Sequence, residues 1–166
     1  MENNKEYQKW LEVVEKDGLE LENVPEQFRT EKLCEAALDN NANAFEFVPK
    51  EFITQELCAI AVKEYGYALE FVPEELKTLE LCELAVKEEG VAIKYVPIEF
   101  ITEEMCEIAV KLRGYILREI PLEFRTYELC KLAVINYGSA LEYVPEEFRT
   151  QQLCEIAVSD CGRAIS

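Results

Sequence analysis

The sequence predicts an all-α solenoid, a superhelix of 24-residue repeats that each contain a three-turn helix and a very short helix. All six prolines follow one step of 24 residues, and threonine and cysteine recur with the same step. Glycine recurs with this step too, except that alanine, Ala42, takes its place in one unit. Self-similarity at a fixed period of this length is the signature of a repeat protein. The recurring residues are Pro25, Pro49, Pro73, Pro97, Pro121 and Pro145; Thr30, Thr54, Thr78, Thr102, Thr126 and Thr150; Cys34, Cys58, Cys82, Cys106, Cys130 and Cys154; and Gly18, Gly66, Gly90, Gly114, Gly138 and Gly162.

The main helix of a unit begins after its threonine. Thr78 is expected to cap this helix, because its hydroxyl can accept a hydrogen bond from a free N–H of the first turn. Glu80 lies in that turn and complements the helix dipole. About 11 helical residues separate Thr78 from Gly90, which is expected to leave the helix in a left-handed conformation.

The main helix is apolar over a wide arc. Five apolar residues cover about 200° of its circumference, which is wider than the apolar stripe of a surface helix. We therefore expect neighbouring repeats on both sides, with the alanine of each unit at a close helix–helix approach. The five residues are Leu81, Cys82, Leu84, Ala85 and Val86.

A shorter element follows the glycine. Ala92 to Val96 is apolar at helical spacing but spans only about a turn and a half, which predicts a very short helix. Pro97 then fixes its own φ and begins the next turn or a short 3₁₀ segment.

The repeats define the expected domain organisation. Residues 1–24 form a degenerate half-repeat, with Trp10 in the cysteine position and Gly18 in the glycine position, and we expect it to cap the N-terminal end. Residues 25–166 form six tandem repeats of a single domain, and the last repeat is truncated. This truncated end is expected to expose apolar surface.

Composition limits the partners and the compartment. The chain has 17 Lys+Arg and 34 Asp+Glu, a net charge of −17, and its hydrophobic share of 49% predicts a folded protein. The charge argues against direct binding to nucleic acid or to an anionic membrane. No apolar run approaches the roughly 18 residues of a membrane span, and the first residues lack a secretory apolar segment. We expect a reducing, cytoplasmic location, which is compatible with delivery into a host cytosol.

The cysteines are expected to be reduced core residues. Neighbouring helices stack about 8–10 Å apart, whereas a disulfide needs Cα atoms within about 7 Å. The sequence has no Cys-x-x-Cys pair and no histidine, so it predicts neither a zinc site nor a cofactor. Cys161 lies outside the periodic series and is expected to be exposed.

The sequence does not predict an enzyme. It contains no histidine, no Gly-rich phosphate loop and no nucleophile elbow. Its carboxylates recur in columns and so share one environment, whereas an acid/base pair needs two different ones. We interpret these columns as a solvated face, with an alternative interpretation as an acidic binding face at Glu80, Glu83, Glu104 and Glu107.

The repeat pattern suggests a candidate partner-binding site where it changes. Several positions lose the polar character that their equivalents keep, and most of them fall in the window 94–135. This window holds 6 basic and 7 acidic residues, a net charge of −1. A nearly neutral apolar patch in an acidic protein is typical of a partner interface, and local repacking or neutral drift is the alternative. The candidate residues are Ile98, Leu112, Tyr115, Arg118, Leu122 and Tyr127.

One stretch carries a family resemblance. Residues 129–145 read Leu-Cys-x-x-Ala-Val-x-x-x-Gly-x-Ala-Leu-Glu-Tyr-Val-Pro. This pattern resembles the short helical repeats of an uncharacterised family found in bacterial effector-type and large-virus proteins, and the resemblance covers residues 25–166. The unit length is also similar to leucine-rich-variant repeats, which alternate α and 3₁₀ helices. Both resemblances imply a fold, and neither implies a catalytic residue or a ligand.

Three functions follow as hypotheses. The first is a non-catalytic scaffold that binds one protein partner, as an effector or an inhibitor. The second is a nucleic-acid mimic that occupies a basic groove, because 17 net charges over about 58 Å give about one charge per 3.4 Å. The third is a structural module that self-associates through its C-terminal end. Mimicry should weaken steeply with salt, whereas binding by an apolar patch should not.

Overall fold

The fold consists of α-helices and 3₁₀ helices. The computed structural model describes the backbone of residues 2–163 and the side chains of residues 4–159, and no strand occurs in that range. The chain divides into two compact units, unit 1 (Met1–Glu88) and unit 2 (Glu89–Ser166). The predicted all-α class is confirmed.

Over residues 2–163, seven α-helices alternate with pairs of 3₁₀ helices. Unit 1 contains α1 (Glu2–Lys16), α2 (Glu31–Asn40), α3 (Gln55–Glu64) and α4 (Leu79–Glu88), and unit 2 contains α5 (Glu103–Leu112), α6 (Tyr127–Asn136) and α7 (Gln151–Arg163). The long 3₁₀ helices are Gly18–Asn23, Ala42–Phe47 and Gly66–Phe71 in unit 1, and Gly90–Tyr95, Gly114–Glu119 and Gly138–Tyr143 in unit 2. The short 3₁₀ helices are Glu26–Phe28, Lys50–Phe52 and Glu74–Leu76 in unit 1, and Ile98–Phe100, Leu122–Phe124 and Glu146–Phe148 in unit 2.

Within each unit, consecutive repeats pack on one another. Helix α3 packs on α4, and α5 packs on α6, while each long 3₁₀ helix packs beside the α-helix that follows it in the same unit. In α4 the side chains of Leu81, Cys82, Ala85 and Val86 are buried, and Leu84 is half-buried. Helix α6 buries the equivalent four positions. This repeated packing is that of an all-α solenoid, as the period predicted.

The threonines cap the α-helices as expected. The Thr102 hydroxyl accepts a hydrogen bond from the Met105 N–H at 3.2 Å, and the Thr102 backbone is extended, with φ of −119° and ψ of 157°. The equivalent bond occurs in all six repeats. Each α-helix except α1 therefore begins at a residue that the sequence alone identifies.

The prediction that Gly90 adopts a left-handed conformation is wrong. No described residue, glycine or other, has a positive φ. Glycine allows a close approach there, because a Cβ on Gly90 would lie 3.0 Å from the Cα and the carbonyl oxygen of Ala109. A Cβ on Gly114 would lie 2.7 Å from the carbonyl oxygen of Ala133. The glycine and alanine columns thus meet, and the missing side chain lets a long 3₁₀ helix approach the α-helix of the next repeat.

The very short helix differs from the prediction in its type and bounds. The sequence predicts it from Ala92 to Val96, and in the structure it is a 3₁₀ helix that begins at Gly90 and ends at Tyr95, with Val96 as its C-cap. The expected 3₁₀ segment after Pro97 is confirmed, with Pro97 as the N-cap of Ile98–Phe100. In the described part of the chain, no helix is both long and apolar enough to cross a membrane.

The ends of the chain remain predictions. Helix α1 packs on α2, and Gly18–Asn23 packs on Ala42–Phe47, so the degenerate half-repeat follows the packing of the other repeats. Its role as a cap, and the grouping of residues 25–166 into one domain, stay predictions. The truncated end at 164–166 and the side chain of Cys161 lie outside the described residues.

Candidate functional site

Three candidate residues are exposed apolar side chains of unit 2. The exposed fractions of Ile98, Leu112 and Leu122 are 53%, 43% and 70%. Ile98 and Leu122 are the first residues of two short 3₁₀ helices, and Leu112 is the last residue of α5. All three leave apolar surface in contact with water, and Leu122 exposes the largest fraction.

Tyr115 and Arg118 form a contact pair on the long 3₁₀ helix Gly114–Glu119. The guanidinium carbon of Arg118 lies 5.9 Å from the centre of the Tyr115 ring, which is a cation–π distance. Arg118 Nε donates to Glu119 Oε1 at 2.7 Å, and this bond, with a smaller contribution from Tyr143, raises the pKa of the exposed Arg118 guanidinium. The Tyr115 ring also meets the Tyr137 ring edge-on at 6.1 Å. The pair thus presents a fixed aromatic ring and a charged group.

Tyr127 is partly explained by packing. It is the first residue of α6 and is half-buried, and its ring lies edge-on to the Phe148 ring at 6.2 Å. This contact inside unit 2 gives Tyr127 a structural reason to be aromatic. For Tyr127, local repacking therefore accounts for part of the departure from its polar equivalents.

Leu112 replaces a residue type that links repeats. Asn40 and Asn136 occupy the same position in other repeats. Asn40 Oδ1 accepts from the Gly18 N–H at 2.8 Å, and Asn40 Nδ2 donates to the Glu15 carbonyl at 3.1 Å. Asn136 Nδ2 likewise donates to the Val110 carbonyl at 3.2 Å. Leucine cannot make these bonds, so the apolar residue at 112 has no equivalent structural role.

An arginine that the sequence interpretation missed holds this part of unit 2 in place. Arg125 Nε donates to the Ile120 carbonyl at 2.7 Å, and its Nη2 donates to the Arg118 carbonyl at 3.2 Å. Its Nη1 donates to the Tyr143 carbonyl at 2.8 Å, in the next repeat. Arg125 therefore positions the backbone that carries Arg118. Arg29 makes the same three bonds in unit 1.

The alternative acidic face falls into two pairs. Glu80 is exposed and Glu83 is half-buried on α4 of unit 1, and Glu104 and Glu107 are exposed on α5 of unit 2. Glu107 Oε2 is 2.9 Å from Lys111 Nζ, so one of the four carboxylates is already paired. An exposed pair of this kind contributes little to stability and reduces the local negative charge.

The periodic cysteines lie in the core. Cys34, Cys58, Cys82, Cys106 and Cys130 are buried, Cys154 is partly exposed, and all six are free thiols. Burial raises the pKa of each of the five buried thiols to about 11. They are therefore protonated at neutral pH and poor nucleophiles. In the described part of the chain, no three His, Cys, Asp or Glu side chains are placed to hold one metal ion.

A family model matches the repeats of this chain. The model, described as a domain of unknown function, DUF4116, matches residues 54–101 and 102–149, two adjacent segments of two repeats each. No curated protein and no solved structure matched the chain. The expected occurrence of such repeats in bacteria and large viruses stays a prediction. Because the two matched segments together cover more than half of the sequence, the chain belongs to the DUF4116 family, a repeat family of unknown function.

Proposed function

We propose that the protein is a non-catalytic repeat protein that binds another protein through exposed apolar side chains of unit 2. The supporting observation is the exposure of Leu122 (70%) and Ile98 (53%) at a position that needs no apolar residue. The first residue of the short 3₁₀ helix is exposed in all six repeats, and in the other four it is polar. Those four residues are Glu26, Lys50, Glu74 and Glu146. Local repacking does not explain an apolar residue at an exposed position.

The charge distribution supports the same surface. Unit 1 has 21 acidic and 9 basic residues, a net charge of −12, whereas unit 2 has 13 acidic and 8 basic residues, a net charge of −5. Burial of leucine and isoleucine against a partner costs less where few carboxylates must lose water. The Tyr115–Arg118 pair adds the residue types that dominate binding energy at interfaces. We propose that the partner is a protein on which this chain acts as an effector or inhibitor.

A nucleic-acid mimic is the second candidate, and the net charge of −12 on unit 1 favours it. In that case the acidic surface would occupy a basic groove of a nucleic-acid-binding protein. Such binding depends steeply on salt, because the interaction between exposed charges is screened. Binding through Ile98 and Leu122 should vary little with salt.

The test combines photo-crosslinking with a matched pair of variants. A photo-reactive amino acid at position 122 should crosslink a partner that the same group at position 50, the equivalent position of unit 1, does not. Ile98→Glu with Leu122→Glu should abolish binding of that partner, and Lys50→Glu should preserve it. Both variants change the net charge by −2. Helicity and melting temperature should be unchanged in both, since glutamate occurs at this position in three repeats.

Two results would contradict the proposal. If the double variant binds as the wild type does, the apolar position is not the site. If charge reversal at Glu80, Glu83, Glu104 and Glu107 abolishes binding in a salt-dependent way, the acidic face is the site and the mimic is supported instead.

A further inference from the structure

A groove runs between α2 and α3 in unit 1. It encloses about 410 Å³, and its apolar lining consists of Leu38, Leu57 and Ile60. Leu38 and Leu57 are 4% and 6% exposed, whereas Ile60 is 41% exposed. The groove therefore has a buried leucine floor and an isoleucine that remains open to water. Its rim carries four carboxylates, Glu31, Glu35, Asp39 and Glu56.

The equivalent groove between α5 and α6 differs from the α2–α3 groove in the charge at one position. It has the same construction, with Glu103, Glu107 and Glu128 beside Leu129 and Leu132, and it encloses about 270 Å³. There, however, Lys111 stands at the position of Asp39 and pairs with Glu107 at 2.9 Å. Lysine also occupies this position at Lys63 and Lys87. Asp39 thus replaces the cation that the following repeats use.

The carboxylates of the α2–α3 groove have no such partner. Among the described residues, none of the four forms an ion pair. They are also not placed to hold a metal ion between them, as far as the described side chains show. The groove therefore combines an open apolar side chain with four carboxylates that form no ion pair with a described residue.

We propose that the α2–α3 groove binds a short Lys/Arg-rich segment of another protein that carries apolar side chains on one face. Apolar side chains of the segment would cover Ile60, and its cations would pair with Glu35 and Asp39. The groove fits a segment of limited length, since Glu31 and Asp39 are separated by about 12 Å along α2, about two turns of a bound helix. This surface lies in unit 1 and is independent of the site proposed in unit 2.

The occupant follows from charge complementarity. The four carboxylates favour a cationic ligand and oppose nucleic acid or an anionic lipid surface. The exposed apolar side chain of Ile60 favours a ligand with leucine-like side chains over a simple polycation. A cationic amphipathic peptide meets both requirements.

The test uses the full chain and a fluorescent peptide of about ten residues, with lysine and leucine on opposite faces at helical spacing. Fluorescence anisotropy measures its dissociation constant. Asp39→Lys should weaken binding about tenfold, because one attractive contact becomes repulsive. Glu70→Lys is the matched control with the same charge change in unit 1, and Lys94 already occupies its position in another repeat. It should leave the dissociation constant within about twofold.

The apolar part of the site is tested separately. Ile60→Ala should weaken binding severalfold, and the fold should tolerate it because Ala36 occupies the same position in the preceding repeat. Leu132→Ala, the equivalent change in the α5–α6 groove, should have no effect. A peptide with serine in place of leucine should bind much more weakly than the original peptide.

Three results would overturn the proposal. One is equal affinity for the wild type, Asp39→Lys and Glu70→Lys; another is full affinity for the serine peptide, which would show attraction by charge alone. The third is loss of the peptide in the Ile98→Glu/Leu122→Glu variant, which would move the peptide to unit 2. Retained peptide binding in that variant keeps this proposal separate from the proposed function.

Discussion

Arg125 is the residue whose removal tests the architecture of unit 2 most directly. Its three N–H···O bonds, of 2.7, 2.8 and 3.2 Å, join the ends of two long 3₁₀ helices from consecutive repeats. A charged donor contributes roughly 1.5–3 kcal/mol per hydrogen bond when it is well buried, and less when water competes. Arg125 is half-buried, so about 1 kcal/mol per bond is appropriate. Arg125→Ala should therefore cost about 3 kcal/mol.

Thermal unfolding measures this cost. In a chain of 166 residues, about 3 kcal/mol corresponds to a fall in melting temperature of roughly 6–12 °C. Arg149→Ala is the matched comparison, since Arg149 makes two bonds, to the Val144 and Glu142 carbonyls at 2.9 and 3.1 Å. It lies at the same position of the repeat and should cost about 2 kcal/mol or less.

Amide hydrogen exchange separates the two variants by location. The Ile120 N–H bonds to the Leu117 carbonyl at 3.3 Å, and the Val144 N–H bonds to the Leu141 carbonyl at 3.2 Å. Arg125→Ala should accelerate exchange at both Ile120 and Val144, and Arg149→Ala only at Val144. Unchanged exchange at Val144 in Arg125→Ala, or equal melting temperatures for the two variants, would refute the role of Arg125 as a link between repeats.

Three further predictions concern the core. Burial raises the pKa of five cysteines to about 11 against 9.0 unfolded, so the unfolded chain loses protons first. Stability should therefore hold below about pH 9 and fall between pH 9 and 11. Urea unfolding at pH 8 and 10 checks this, with Cys106→Ala expected to flatten the decline, and equal stability at both pH values would contradict it. Cys106→Ser should cost about 1–3 kcal/mol in chemical denaturation, because its hydroxyl is poorly satisfied in the core; an unchanged midpoint would show that the position tolerates a polar group. Gly114→Ala should cost about 1–3 kcal/mol through the contact with Ala133, and an unchanged melting temperature would show that the next repeat moves away freely.

Features that depend on neighbours in sequence could be predicted, and features that depend on the next repeat could not. The Thr102 cap follows from bonds within one turn, and the burial of Cys106 follows from its place on the apolar arc. The role of Gly90 was misassigned because glycine serves both left-handed backbone and close approach. Ala42 at the equivalent position was the signal that no left-handed residue is required, since alanine does not adopt that conformation readily.

The candidate sites show the same limit. Exposure at Leu122 followed from its polar equivalents, which is a comparison that the sequence permits. Arg125 was missed because one of its partners, the Tyr143 carbonyl, lies 18 residues away, and because isoleucine and lysine interrupt the arginine column. The α2–α3 groove was missed because the two helices that form it come from consecutive repeats. Only the structure shows that Asp39 faces the same groove as Ile60.

The exposed first position of each short 3₁₀ helix can change its side chain with little consequence for the fold. Except at Glu74, which pairs with the buried Lys77 at 2.6 Å, a substitution there changes the surface of one repeat without changing a cap, a buried side chain or the glycine–alanine contact. Mutation can therefore alter charge and shape at intervals of 24 residues while selection for stability is almost indifferent. The repeats therefore present an array of independently variable surface positions, and a library randomised at the five positions other than Glu74 should yield folded variants with altered surfaces.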